Sequence, residues 1–263
     1  GQTVRARVVA PKDNSGAVDV RLTLKVFGEK DRLLDVDGKP SQLAPGAETV
    51  LEWRLPEFDG QPIGEVGIAI TSQAQRADGR VLIDWLRWDG TPEVTLRRPK
   101  ADSDFWRMAW VNGVSFFSKL FPPSFRISQA VGEGMVSHGT REWTDYRVKT
   151  DLTVHLGGYG GLAVRVQGLR RYYGIRLVRD GRLQIVKVRD EAVSVLAETP
   201  FDFVFEKAMP MDVRVSGSTI SAVVGGTRIE ARDESDTAFA DGGIGLVIHE
   251  GALSTDSVSV SAA

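Results

Sequence analysis

The chain contains no cysteine. That removes disulfides, thiol nucleophiles and cysteine-ligated zinc together. The absence fits a reducing compartment and is also common in exported bacterial modules, so localisation is left open. Histidine is nearly absent too: His138, His155 and His249 are the full set, too few for a multi-histidine metal centre. No apolar run approaches the roughly 20 residues that span a bilayer, and no signal-peptide pattern is visible. The formal charge of −2 gives no reason to expect nucleic acid or a membrane as partner. Catalytic fingerprints are missing as well. There is no G-x-S-x-G elbow, P-loop, H-E-x-x-H or Rossmann motif, so no catalytic residue is assigned.

What is present is short-range alternation. Hydrophobic residues make up 42% of 263 positions, enough for packed cores. In Val18 to Phe27, Val18, Val20, Leu22, Leu24 and Val26 share one face, with Asp19, Arg21, Thr23 and Lys25 on the other. Val4 to Val9, the inward set Thr49, Leu51, Trp53 and Leu55, and Val66 to Thr71 follow the same rule. A turn at Ala77 to Gly79 precedes Arg80 to Trp88. The second half repeats the pattern in Tyr146 to Leu156, Leu162 to Gln167, Tyr172 to Val178 and Leu183 to Val188. Gly157 to Gly161 and Arg179 to Gly181 read as turns. A meander from Met211 to Ala231 follows, and Gly243 to Ile248 and Ser257 to Ser261 close the chain. No repeat of solenoid or propeller length is seen.

Between the halves lies a segment dense in Trp and Phe. Ser103 or Asp102 caps a short helix beginning near Phe105, and Asn112-Gly113 ends it. Its rings are expected to pack between the two sandwiches as an ordered joint. The reading is all-β: two antiparallel β-sandwich (jelly-roll) domains, 1–98 and 125–263, joined by an aromatic-rich linker, 99–124. The chain enters a strand at once and ends on one, which reads as a piece of a longer product.

Trp143-Thr144-Asp145-Tyr146, Gly161 to Arg165, Tyr172-Tyr173 and Gly243 to Leu246 together resemble the concanavalin A-like lectin/glucanase jelly roll. Arg76 to Pro92 makes the first region similar to a galactose-binding-like sandwich of the carbohydrate-binding-module type. The run Phe125 to Tyr146 also resembles the C-terminal β region of bacterial ADP-ribosylglycohydrolase-family proteins, without their helical catalytic domain. These resemblances imply a non-catalytic module that binds carbohydrate or an ADP-ribose-like ligand and targets or scaffolds an attached glycosyl-processing enzyme. The alternatives are a glycoside hydrolase of the 3-keto-glucoside hydrolase-like jelly-roll type, with Glu133, Glu142 and His155 as acids or bases, and a structural interaction domain.

Period two then sorts candidate ligand residues. With Leu162, Val164, Val166, Tyr173, Ile175, Leu177, Leu152, Val154 and Leu156 inward, the residues His155, Arg165, Gln167, Tyr172 and Arg176 face outward, and on one sheet they converge on a trough. Arginine and glutamine hydrogen-bond hydroxyls or an anion, and a tyrosine ring stacks on a sugar face. The competing reading is the ordinary polar alternation of any antiparallel sheet. Asp84 stands in a strand apolar on both faces. As a buried carboxylate it needs a partner. The galactose-binding-like resemblance implies a structural calcium there, and an arginine or backbone N–H groups would serve as well. Asp35 and Asp37 lack the glutamate an EF-hand loop requires. Asp233 to Asp236 read as a solvated acidic loop, and Asp256 as a lone carboxylate. Trp88 and Tyr159 are the best exposed sugar platforms, while His138 and His249 are expected to make local hydrogen bonds.

Overall fold

The computed structural model describes residues 1–72, 79–90, 92–100 and 102–263. Ala77 and Asp78 of the expected Ala77 to Gly79 turn lie outside them, as do Arg76 and Thr91 of the Arg76 to Pro92 segment. Two compact units are present. The first is Gly1–Gly90 with Ala101–Phe105, and the second is Thr91–Lys100 with Trp106–Ala263.

The first unit holds β1 (Thr3–Val9), β2 (Val18–Phe27), β3 (Leu33–Asp37), β4 (Ser41–Leu43), β5 (Glu48–Arg54), β6 (Ile63–Thr71) and β7 (Leu82–Asp89). One sheet runs β5–β1–β7. The other is built on β2, which pairs antiparallel with β3, β4 and β6. Strict alternation sends Val18, Val20 and Leu22 of β2 into a core shared with Val4, Ala6, Val8 and Leu51. A five-residue 3-10 helix, Phe105–Ala109, starts where the sequence places it. Its cap is different. Asp31 accepts the Asp104 and Phe105 N–H groups (3.1 and 3.0 Å) and the Ser103 hydroxyl (2.6 Å), so Ser103 is a donor rather than the cap. Nor does Asn112-Gly113 end the helix, since both residues lie in a strand.

The second unit begins with β8 (Val94–Arg97) and β9 (Val111–Gly113), then β10 (Phe116–Ser118), β11 (Phe125–His138), β12 (Tyr146–Leu156), β13 (Tyr159–Gly168), β14 (Arg171–Val178), β15 (Arg182–Arg189) and β16 (Ala192–Pro200). It ends with β17 (Ala208–Ser216), β18 (Thr219–Val224), β19 (Thr227–Arg232), β20 (Gly243–Thr255) and β21 (Ser257–Ala262). Fourteen strands form one hydrogen-bonded network that β20 folds into two layers. Its first half pairs with β13 and its second half with β12, while β11 follows it along its length. The larger layer is β9–β11–β20–β13–β14–β15–β16. The smaller is β8–β21–β12–β17–β18–β19. Their inner faces bury one apolar core, including Leu152, Val154, Leu162, Val164, Tyr173, Ile175, Val213 and Leu246. Trp106, Trp110, Phe117 and Phe125 belong to this same core, with ring centroids 5.2–6.3 Å apart. The expected joint between sandwiches is therefore, for these rings, interior to the second unit.

One irregularity shapes the rest. Register slips between Val164 and Val166, where Arg165 sits at φ +49°. This β-bulge reverses the alternation. Val166 turns onto the outer face of the larger layer and joins Met135, Ala163, Tyr172, Val186, Val188 and Val247 in a second, smaller core. The β13–β14 turn bends over that face far enough that Leu169 Cδ1 lies 2.7 Å from where a β-carbon on Gly113 would stand. Arg165 itself is 3% exposed. Its guanidinium donates to the carbonyls of Gly217 (2.7 Å), Phe239 (2.9 Å) and Thr144 (3.3 Å), and pairs with Asp145 at 3.1 Å. Arg165→Met would leave three carbonyls short of a donor. Urea unfolding of that variant is expected to show a loss on the order of 3 kcal/mol. A change within about 0.5 kcal/mol would mean the bulge does not depend on this side chain.

Candidate functional site

The outer face of the larger layer carries a band of polar side chains beside the smaller core. Glu133 of β11 stands opposite His249 of β20, which stands opposite Tyr159 of β13. One row along, Arg176 of β14 faces Gln184 of β15, and Gln184 faces Glu198 of β16. Directly opposed residues share a face, so the band crosses six strands.

Glu133, at one end of the band, gathers its hydrogen bonds. Its carboxylate accepts the Tyr159 hydroxyl at 2.6 Å, Arg176 Nη2 at 2.6 Å and the Tyr172 hydroxyl. Tyr172 starts three rows away and reaches it by lying along its own strand over Gly174. A β-carbon there would stand 3.3 Å from Tyr172 Cε2 and 3.1 Å from Val186 Cγ2, so a larger residue would lift the ring. Glycine at 174 therefore brings a distant tyrosine to the carboxylate.

Tyr159 is held on two sides. The Arg176 guanidinium carbon lies 4.3 Å from its ring centroid, and the His249 imidazole stacks on it at 4.9 Å. Burial, and the adjoining Glu133 charge, push the Tyr159 and Tyr172 hydroxyls well above the usual phenol range, although Arg176 pulls the other way. Both stay protonated as donors. Burial opposes the charge on Arg176, but Tyr172 and Glu133 outweigh it and raise its hold on the proton. Arg176 Nε is buried and has no hydrogen-bond partner among the described residues.

Of the five residues expected in one trough, only Tyr172 and Arg176 come together. Both lie on the expected face, but they are 0% and 5% exposed, clamped to Glu133 rather than open. Arg165 is drawn inward by the bulge. Gln167, beyond the same bulge, binds the Asp241 side chain (2.9 Å) and carbonyl (3.2 Å). His155 belongs to β12, a strand of the smaller layer, so its outward direction is the opposite side of the sandwich. Period two gave its side correctly relative to its own strand and could not give its sheet.

Three members of the band were placed otherwise by sequence. Glu133 was singled out only as an enzymatic acid, His249 only for local hydrogen bonds, and Tyr159 as an isolated platform in a Gly157 to Gly161 turn. Gly160 and Gly161 in fact continue β13, which carries Tyr159 into the sheet. His138 does act locally: its Nδ1 lies 2.6 Å from the Ala109 carbonyl oxygen, and burial lowers its proton affinity.

Asp84 is not buried. Register slips between Arg7 and Val8 against Trp85 and Ile83, leaving Asp84 as the extra residue of a bulge on an outer strand. Its carboxylate is 49% exposed and pairs with Arg7 at 2.7 Å. One carboxylate already bearing a guanidinium is a donor set that does not fit calcium. Among the described residues no three His, Cys, Asp or Glu side chains gather as a cation site. Asp37 pairs with Arg21 (2.7 Å), and Asp256 accepts the Ser124 hydroxyl. Asp233 is 7% exposed inside a polar network and not on a solvated loop. Among the described residues no helix is long and apolar enough to cross a membrane.

No protein-family model and no curated protein matches this sequence. Solved structures do resemble it. The carbohydrate binding module CBM66 from Bacillus subtilis aligns at 17% identity over 59% of this chain and 96% of that one, with a TM-score of 0.52. A Bacillus subtilis protein of galectin-like fold aligns at 13% identity over 61% and 92%, with a TM-score of 0.48. A GH43 protein from Bacillus licheniformis aligns at 12% identity over 76% of this chain and 47% of that one, at 0.46. At these identities the likeness to CBM66 is one of fold: the chain shares the β-sandwich of that module.

Proposed function

We propose that the second unit binds an oligosaccharide on the outer face of its larger layer, along the band from Glu133 to Glu198. The observation that carries the reading is the Glu133 carboxylate with its oxygens oriented by Tyr159, Tyr172 and Arg176 beside the part-exposed His249 ring. Such a group is fixed before a ligand arrives, so little ordering free energy is lost on binding. A sugar hydroxyl donates to the remaining lone pairs of Glu133 and accepts from Arg176. Tyr159 has Arg176 and His249 against it, so the aromatic surface offered to a sugar ring is that of His249. CBM66, whose fold this chain shares, is by name a carbohydrate binding module, which supports the same ligand class. The reading extends to an accessory role: a module that delivers an attached glycosyl-processing domain to its substrate. The resemblance read from the sequence run Phe125 to Tyr146 is the ground for that extension and puts ADP-ribose among the ligands to test.

The chain is to be applied to a glycan array, and the best hit and ADP-ribose titrated calorimetrically. Binding of a glycan is expected, with His249→Ala weakening it about tenfold. A silent array with no ADP-ribose response, or unchanged affinity in His249→Ala, would overturn the site.

A further inference from the structure

On the opposite side of the second unit, three side chains stand in hydrogen-bond sequence. Glu206 Oε2 lies 2.7 Å from His155 Nδ1, and His155 Nε2 lies 2.9 Å from Ser254 Oγ. A carboxylate only accepts, so Nδ1 carries the imidazole proton and Nε2 is left to accept from the serine. We propose that Ser254, His155 and Glu206 form an acyl-transfer triad that hydrolyses a carboxylic ester presented at the protein surface. In this arrangement Ser254 is the nucleophile, His155 the general base and Glu206 the positioning residue.

The backbone builds this arrangement from three separate segments. β12 slips register between Val154 and Leu156, and His155 is the residue at the slip. Glu206 adopts a left-handed φ of +61° while its N–H donates to the Val154 carbonyl at 3.0 Å. Its position is thus tied to the strand that carries the histidine. A left-handed glutamate is strained, and such strain concentrates at functional sites. His155 is 13% exposed at its side chain, which keeps the imidazole fixed yet reachable.

Ser254 stands directly opposite Arg126 of β11 and Thr153 of β12, so all three project on one face. The Arg126 guanidinium carbon lies 4.6 Å from the Phe121 ring centroid, and the register of Arg126 beside Ser254 makes it the cation assigned in this proposal to the developing oxyanion. Phe121, against Arg126, is 55% exposed, and Leu156 and Val204, close in sequence to His155 and Glu206, are 57% and 43% exposed. Exposed apolar side chains of this kind suit an uncharged acyl group borne on a larger molecule.

In the first step Ser254 Oγ bonds to the ester carbonyl carbon and its proton passes to His155 Nε2. The carbon–oxygen bond to the alcohol then breaks, and the alcohol leaves with that proton. Water attacks the acyl-serine, giving its proton to His155. Collapse releases the carboxylic acid and restores the serine.

The full chain is to be treated with a fluorophosphonate probe and mapped by peptide mass spectrometry. p-Nitrophenyl acetate and butyrate hydrolysis are to be followed in parallel. The expected result is a single adduct on Ser254, with ester hydrolysis falling at least about 100-fold in Ser254→Ala and in His155→Gln. Glu206→Gln is expected to lower kcat more than it raises KM. Glycan binding on the far face is to stay intact in all three, which serves as the folding control. No adduct on the unaltered chain, an adduct elsewhere, or wild-type hydrolysis in Ser254→Ala would overturn the proposal. The adduct's position on the unaltered chain decides it even if a variant fails to fold.

Discussion

Glu133→Ala is expected to abolish glycan binding and to lower the stability of the second unit by about 3 kcal/mol. The reason is asymmetry between the partners. Arg176 is 7% exposed at its side chain and Glu133 23%. Removing the carboxylate leaves a buried guanidinium without its counter-ion and two largely buried tyrosine hydroxyls without an acceptor. Breaking a buried pair from one side costs about 3–5 kcal/mol, and the part-exposure of Glu133 places this case at the low end. Glu133→Gln keeps an oxygen for one tyrosine but turns an amide donor toward others, so it should lose most of the same stability. Arg176→Met combined with Glu133→Ala should recover part of the loss, because the stranded charge is gone. Urea titration followed by tryptophan fluorescence measures all three, with the two units fitted as separate transitions. If Glu133→Ala unfolds like the unaltered chain, the carboxylate does not organise the band, and its place in ligand binding falls with it.

Much of the fold was legible because alternation is a local property. Val18 to Phe27 and Tyr146 to Leu156 coincide with their observed strands to the residue. Tyr172 and Arg176 lie on the face that period two assigned them. Other strands carry weak patterns. β16 is exposed along most of its length and has no alternation to read, while β9 and β10 are three residues each.

The trough was not legible, and two physical causes explain it. The bulge at Arg165 breaks the parity for Arg165 and Gln167, and the slip at His155 breaks it for Leu156, which is 57% exposed; neither has the glycine that often marks such a break in sequence. Sheet membership is non-local. β12 pairs with β17 and β21, so a correctly assigned outward face points to the wrong side of the molecule. Glu133 has a partial signal. It follows Gly132, at φ +65°, in a stretch where β11 is longer than its partner segment. A charged residue after a glycine break in a long strand is where a site can enter a sheet.

Asp233→Asn is expected to destabilise the second unit by about 3–5 kcal/mol, and acid is expected to reproduce part of that loss in the unaltered chain. Asp233 Oδ2 meets Lys187 Nζ at 2.6 Å and the Tyr173 hydroxyl at 2.6 Å, while Oδ1 accepts the Ser235 hydroxyl at 2.6 Å and its N–H at 3.1 Å. Burial works against ionisation, yet Lys187, Ser235 and Tyr173 together hold the carboxyl far below the usual carboxylate range. A depressed folded-state pKa means the stabilisation is complete above the unfolded-state value, about 3.9, and is lost as pH falls below it toward the folded value. Stability measured from pH 6 downward should therefore decline through that window, and Asp233→Asn should decline less. The network also reaches Arg165. The Tyr173 hydroxyl accepts the Phe239 N–H at 2.9 Å, and the Phe239 carbonyl accepts Arg165 Nη1 at 2.9 Å. Both anchors hold one loop, so once Asp233→Asn has released it, Arg165→Met has less left to remove. The double variant should fall short of the summed single losses by at least about 0.5 kcal/mol. Strict additivity, together with a flat acid profile, would mean that the Asp233–Lys187 pair and the Arg165 bulge hold the sandwich independently.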